Sequence, residues 1–149
     1  MTQVSPEQLM QLAIQVAREG VATGQSPFGC AIAIGERVVA CQHNTVWKTT
    51  DVTAHAEVNA IRRANLEFGS IHLPDAVVAT TCEPCPMCMA ALHWARVGTV
   101  YYGATIADAA DAGFNELFVS ADLLLREGGS DVQLVPNCLR DECVQLFSE

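Results

Sequence analysis

Positive charge is scarce in this chain. Eight Lys and Arg stand against seventeen Asp and Glu in 149 residues, a formal net charge of −9. Lys48 is the single lysine, and Arg62–Arg63 is the one adjacent basic pair. A surface this acidic repels phosphate backbones and anionic membranes, so it argues against a nucleic-acid partner and suits a small neutral ligand. Aromatic residues are also few, at 6%, which leaves little to stack against unpaired bases. No apolar run reaches the 18 or so residues of a membrane span, so no membrane association is expected. The N-terminus, MTQVSPEQLMQLAIQVAREG, lacks the basic start and apolar stretch of a secretory signal, and a cytoplasmic protein is expected. An even disulfide framework is missing too. Seven cysteines fall at 30, 41, 82, 85, 88, 138 and 143, and three of them crowd into seven residues. That pattern fits a reducing compartment and a metal or reactive site.

What remains is rich in core-forming residues. Half the chain is apolar and 17% is charged. The length fits one domain, expected over residues 1–149, that buries roughly 68–70% of its unfolded surface. There is no internal repeat, low-complexity tract or linker. Apolar residues at Leu9, Ala13, Ile14, Ala17 and Val21 make a helical stripe over 6–21, with Ser5 as N-cap, Pro6 in the first turn and a stop near Gly24. Residues 28–34 and 37–42 read as strands of a hairpin turning at Gly35-Glu36. A helix follows over 53–68, with Val58, Ile61 and Ala64 on one face and Gly69 at its end. Residues 76–81 (AVVATT) read as a strand buried on both faces. Then come a helix over 86–95, a strand over 97–102 and a loop or short helix over 104–113. A helix over 117–126, a strand over 132–135 and a closing helix over 138–147 complete the chain. This alternation predicts an α/β protein with one mixed sheet covered by helices on both faces.

The chemistry concentrates in two short pieces, His55-Ala56-Glu57 and Pro84-Cys85-Pro86-Met87-Cys88. Pro86 suits the first position of a helix, which puts Cys85 at the N-cap. Residues three apart share a helix face, so the two sulfurs point the same way, and a helix N-terminus favours thiolate. His55 and Glu57 would point to opposite sides within a regular helix. They can share a site only if His55 precedes the first helical turn, with Thr53 as the cap. Three protein ligands, His55, Cys85 and Cys88, leave one position open, as in a catalytic rather than a structural zinc site. Zinc lowers the pKa of bound water from about 15.7 to around 7. Glu57 then serves as general acid and base. H-x-E followed by P-C-x-x-C is the general signature of zinc deaminases. Two other readings stand beside this one. Cys85-Pro86-Met87-Cys88 can serve as a thiol redox pair, and Cys82 can complete a purely structural four-ligand zinc site.

These motifs, with SPFGCAIAI, Asn44, TAHAEVNAIRRA, TTCEPCPMC, ALHWARVGTVYYGA and DAADAGFNELF, resemble the cytidine-deaminase-like superfamily. Within it they most resemble the small bacterial guanine deaminases, above all over Asp108–Phe118. The resemblance implies a three-layer α/β/α fold around a mixed five-stranded sheet. It implies one zinc per chain on His55, Cys85 and Cys88, with Glu57 as proton shuttle. Asn44 would bond the base, Phe28 and Trp94 would shape the pocket, Ala56 would lie against the substrate, and Glu116 would reach it from the AGFNE loop. The implied reaction is guanine plus water to xanthine plus ammonia. Cytosine, guanosine, an aminotriazine or tRNA adenosine are the alternative substrates. A homodimer is implied as well, with the C-terminal segment free to exchange between subunits. The tail departs from that pattern, because LRDECVQLFSE looks more like the last helix of the tRNA adenosine deaminases.

Overall fold

The computed structural model describes residues 3–149. Helix α1 (Pro6–Ala22) starts as expected. Ser5 Oγ accepts from the Gln8 amide, the Gln8 side chain returns the bond, and Pro6 takes the first turn. Strands β1 (Gly29–Ile34) and β2 (Arg37–His43) form an antiparallel hairpin with a bulge between Ile32 and Ala33. A short helix that the sequence reading did not anticipate, α2 (Val46–Thr49), precedes α3 (Ala56–Phe68). Gly69 ends α3 in the left-handed region at φ 74°, as expected of a glycine stop. Next come β3 (Val77–Cys82), α4 (Pro86–Trp94), β4 (Thr99–Ala104) and α5 (Ile106–Asp111). The chain closes with α6 (Ala121–Gly128), β5 (Gln133–Val135), α7 (Arg140–Gln145) and a 3₁₀ turn over Leu146–Ser148.

The five strands form one mixed sheet in the order β2-β1-β3-β4-β5, with β3, β4 and β5 parallel and β1 antiparallel to both neighbours. Side chains of β3 alternate between two cores, as a strand period of two requires. Val78 joins Cys30, Ile32 and Val100 beneath α3, α4 and α6. Ala79 joins Ala31, Ala33 and Ala104 against α1 and α7. The three-layer α/β/α arrangement follows. Among the described residues, no helix is long and apolar enough to cross a membrane.

Two expectations need correction. The α3 face against the sheet is Ala56, Ala60 and Ala64, while Val58 and Ile61 are only partly buried. Small side chains let this helix lie close to the strands. The helix expected from Leu117 starts at Ala121, capped by Ser120, whose Oγ accepts from the Leu123 amide. Leu117 and Phe118 precede it in irregular backbone and stand exposed. The C-terminal segment seats on its own chain. Cys143 and Leu146 are buried against the chain's own α1 face, and Arg18 forms a two-pronged bond to Glu149. Gly103 makes the seat possible, since a Cβ there would collide with the Cys143 sulfur.

Candidate active site

One edge of the sheet gathers the candidate residues. The start of β1 lies opposite the end of β2, through the Gly29–His43 pair, and the carboxyl ends of β3 and β4 meet at Cys82–Ala104. The loop before α3 and the turn from β3 into α4 converge there, so two helix N-termini face one point.

His55 is the N-cap of α3, with extended dihedrals of φ −68° and ψ 159° and no capping bond from its ring. This meets the condition that let His55 and Glu57 share a site. Thr53 is not the cap. Its amide and hydroxyl both donate to Asp51 Oδ1 instead. Cys85 is the N-cap of α4, with Pro86 at the first position. The result brings His55 Nδ1 to 3.6 Å from Cys85 Sγ and 3.5 Å from Cys88 Sγ. A tetrahedral zinc with Zn–S of about 2.3 Å and Zn–N of about 2.0–2.1 Å sets its N and S ligands about 3.6 Å apart. The donor set and its spacing therefore fit zinc. Cys82 stands apart from this group, with its thiol against the Thr105 carbonyl at 3.6 Å, which does not favour a fourth cysteine ligand.

Electrostatics match the geometry. Cys85 is held down to about 4, first by a hydrogen bond from the Cys88 thiol and then by His55. The same bond, together with burial, pushes Cys88 up. His55 is raised, chiefly by its bond to Cys85. Glu57, at 7% exposure, is raised to about 7 by burial and then by the Cys85 charge. A carboxyl in that range can both take and give a proton near neutrality.

These groups open into a cavity of about 220 Å³, whose lining includes His55, Glu57, Cys85, Asn44, Phe28 and Glu116. Asn44 is buried, and its Oδ1 accepts from the Val46 amide at 3.0 Å. The Nδ2 donors remain for a ligand. The Asn44 amide donates to the Phe28 carbonyl, which fixes these two residues to each other. Phe28 packs edge-on against Phe114, with ring centres 5.1 Å apart. Glu116 is pushed up by burial and by the Cys85 charge.

Two expected members lie elsewhere. Trp94 is 74% exposed and lines a separate hollow with His93 and Ser130. It sits six residues beyond Cys88, about 9 Å along α4, which carries it away from the metal donors. Ala56 is fully buried in the core with Ala60 and Ala64, outside the cavity lining. Conversely, Asn59, Glu83 and Phe147 were not anticipated. Asn59 Nδ2 donates to the His43 carbonyl at 3.0 Å and to Thr45 Oγ1 at 2.9 Å, tying the Asn44 loop to α3. Phe147 packs on both Phe28 and Phe114. The signal for Glu83 was present: a lone acid follows a buried strand in TTCEPC.

Comparison with known proteins bears on this arrangement. The family described as the cytidine and deoxycytidylate deaminase zinc-binding region matches residues 3–104. The chain belongs to this family. It is a zinc-dependent deaminase, with zinc as its cofactor. It is 42% identical over 118 residues to a guanine deaminase of Bacillus subtilis, covering 78% of this chain and 76% of that protein. A crystal structure of guanine deaminase from Bacillus subtilis superposes with a TM-score of 0.72 at 44% identity, over 74% of this chain and 71% of that one. A tRNA-specific adenosine deaminase of Agrobacterium fabrum is 41% identical over 95 residues, 64% of this chain and 62% of its own length. The fold is also shared with the guanine deaminase from Nitrosomonas europaea, at a TM-score of 0.89 and 23% identity over 99% and 85% of the two chains.

Proposed function

We propose that this chain is one deaminase domain that converts guanine and water to xanthine and ammonia. The observation that carries the reading is that Asn44 and Glu116 both line the cavity that holds Glu57. Guanine offers N–H donors on one edge and ring and carbonyl acceptors elsewhere. Glu116 is an acceptor for the former, and Asn44 Nδ2 is a donor for the latter. At about 220 Å³ the cavity is smaller than a typical pocket for a drug-sized ligand, which suits a free base. The 42% identity with a guanine deaminase supports the same choice.

His55, Cys85 and Cys88 would hold the metal. Zinc, when bound, supplies Lewis acidity that makes a water nucleophilic near neutral pH. Glu57 takes one proton of the attacking water and passes it to the ring nitrogen beside the amino-bearing carbon. The remaining proton of that water, moved by Glu57 from the added hydroxyl to the amine, lets ammonia leave as the carbonyl forms. Phe28, braced by Phe114, packs against the face of the base. The likeness to a tRNA-specific adenosine deaminase favours a second reading, tRNA adenosine, on the same machinery. The net charge of −9 weighs against a polyanionic substrate.

We further propose a cytoplasmic homodimer of purine metabolism that forms without tail exchange. Seven cysteines with no disulfide among them suit a reducing compartment. Trp94 on α4 and Leu123 on α6 are exposed, as are Leu117 and Phe118 just before α6, which suits burial against a second copy. Light scattering on a size-exclusion column should give twice the chain mass. Ammonia release from guanine, guanosine, adenine, cytosine, an aminotriazine and an anticodon stem-loop tests the substrate. Guanine should be turned over best, and release from the stem-loop alone would overturn the reading.

A further inference from the structure

Glu83 is a charged side chain at 8% exposure, one residue after β3 and two before Cys85. Among the described residues, no cationic side chain pairs with it. Oε1 accepts from the Ile106 amide at 3.0 Å, and Oε2 accepts from the Ala121 amide at 2.9 Å. These are the first residues of α5 and α6. Such amides have no partner inside their own helix, and a buried carboxylate must be fully hydrogen-bonded to be tolerated. Each satisfies the other's need. The backbone around Glu83 is fixed as well, since its amide donates to the Ala104 carbonyl at 2.7 Å.

The consequence lies between the two bonded amides. The segment from Ile106 to Ala121 contains Phe114, Asn115 and Glu116, all of which line the cavity. One carboxylate therefore anchors both ends of the segment that delivers Glu116. It does so from the turn that also carries Cys85. We propose that Glu83 is a positioning residue: it ties the substrate-facing segment to the metal-bearing turn, and so sets the distance between Glu116 and the reacting carbon. This rests on reading Glu116 as a substrate contact.

Glu83→Gln tests it, because the amide that replaces one oxygen would meet an N–H with an N–H. The expected result is a rise in KM for guanine of roughly tenfold or more, a smaller change in kcat, and one zinc per chain retained. In a Glu116→Ala background, most of that KM effect should disappear, since the group being positioned is gone. Full additivity of the two substitutions would overturn the proposal. If Glu116→Ala alone leaves KM unchanged, the substrate reading fails instead. A readout without activity covers a variant that does not fold or a wild type that prefers another base. In zinc-loaded wild type, the Ile106 and Ala121 amides should exchange with solvent deuterium as slowly as strand amides. In folded Glu83→Gln, residues 112–120 should exchange at least several-fold faster. Fast exchange of both amides in the wild type would overturn the proposal.

Discussion

The metal half and the substrate half of this site are built in opposite ways. His55, Cys85 and Cys88 sit at the starts of two helices, and short stretches of chain aim them. Asn44, Phe28 and Glu116 come from three distant segments, and other side chains hold them: Asn59, Phe147 and Glu83. Local geometry aims each donor, and only the meeting of His55 with the two cysteines spans a longer separation, 30 and 33 residues. The second half depends on long-range contacts between side chains. Damage to the first half should abolish turnover, and damage to the second should shift KM and selectivity.

Loss of a metal donor gives the largest expected effect. His55→Ala or Cys88→Ala should remove zinc and reduce turnover to background, read by metal analysis alongside ammonia release. Glu57→Gln comes next, with a fall of about 10²–10⁴ in kcat and zinc content unchanged. Phe147 is neither a metal donor nor a lining residue, but it packs behind Phe28 and Phe114, which line the cavity. Phe147→Ala should leave zinc and kcat near normal and raise KM a few-fold, because Phe28 and Phe114 lose their brace. A large drop in zinc content would show that the two halves are not separable. Gly103→Ala crowds Cys143 and should destabilise the fold by about 1–3 kcal/mol, seen as a lower melting temperature.

The smallest effect is electrostatic. Asp108 is held below the usual carboxylate range, first by Arg140 and then by the Thr105 backbone and hydroxyl that it caps. Because the folded value is depressed, this contribution is complete above the unfolded value of about 3.9 and is lost as pH falls through the folded one. Asp108→Asn should therefore flatten the loss of stability below about pH 4, measured by denaturant titration across acid pH.

The same division decides what could be read from the residues. Ser5-Pro6, Gly69 and Cys85-Pro86 carry local backbone rules, so α1, the end of α3 and the start of α4 lay where those rules put them. His55 was legible for the same reason, although the cap was His55 itself rather than Thr53. The start of α6 was misread because Leu117 and Phe118 look like helix core, whereas the Ser120 cap was the truer signal. Trp94 was misplaced because closeness in sequence to Cys88 says little about which end of a helix faces the cavity. Asn59 and Phe147 act across long sequence separations, which no local pattern encodes, and the acid in TTCEPC marked Glu83 without showing the two helix starts it bonds. The tail was open to exchange in sequence terms, and its seat on Gly103 and α1 became visible only in three dimensions.

The most direct test is ammonia release from guanine by wild type and Glu57→Gln, each carrying one zinc per chain. Steady release by the wild type and a loss of at least about 10²-fold in the variant are predicted. Equal rates from the two proteins, or release from a tRNA stem-loop but not from guanine, would contradict the account.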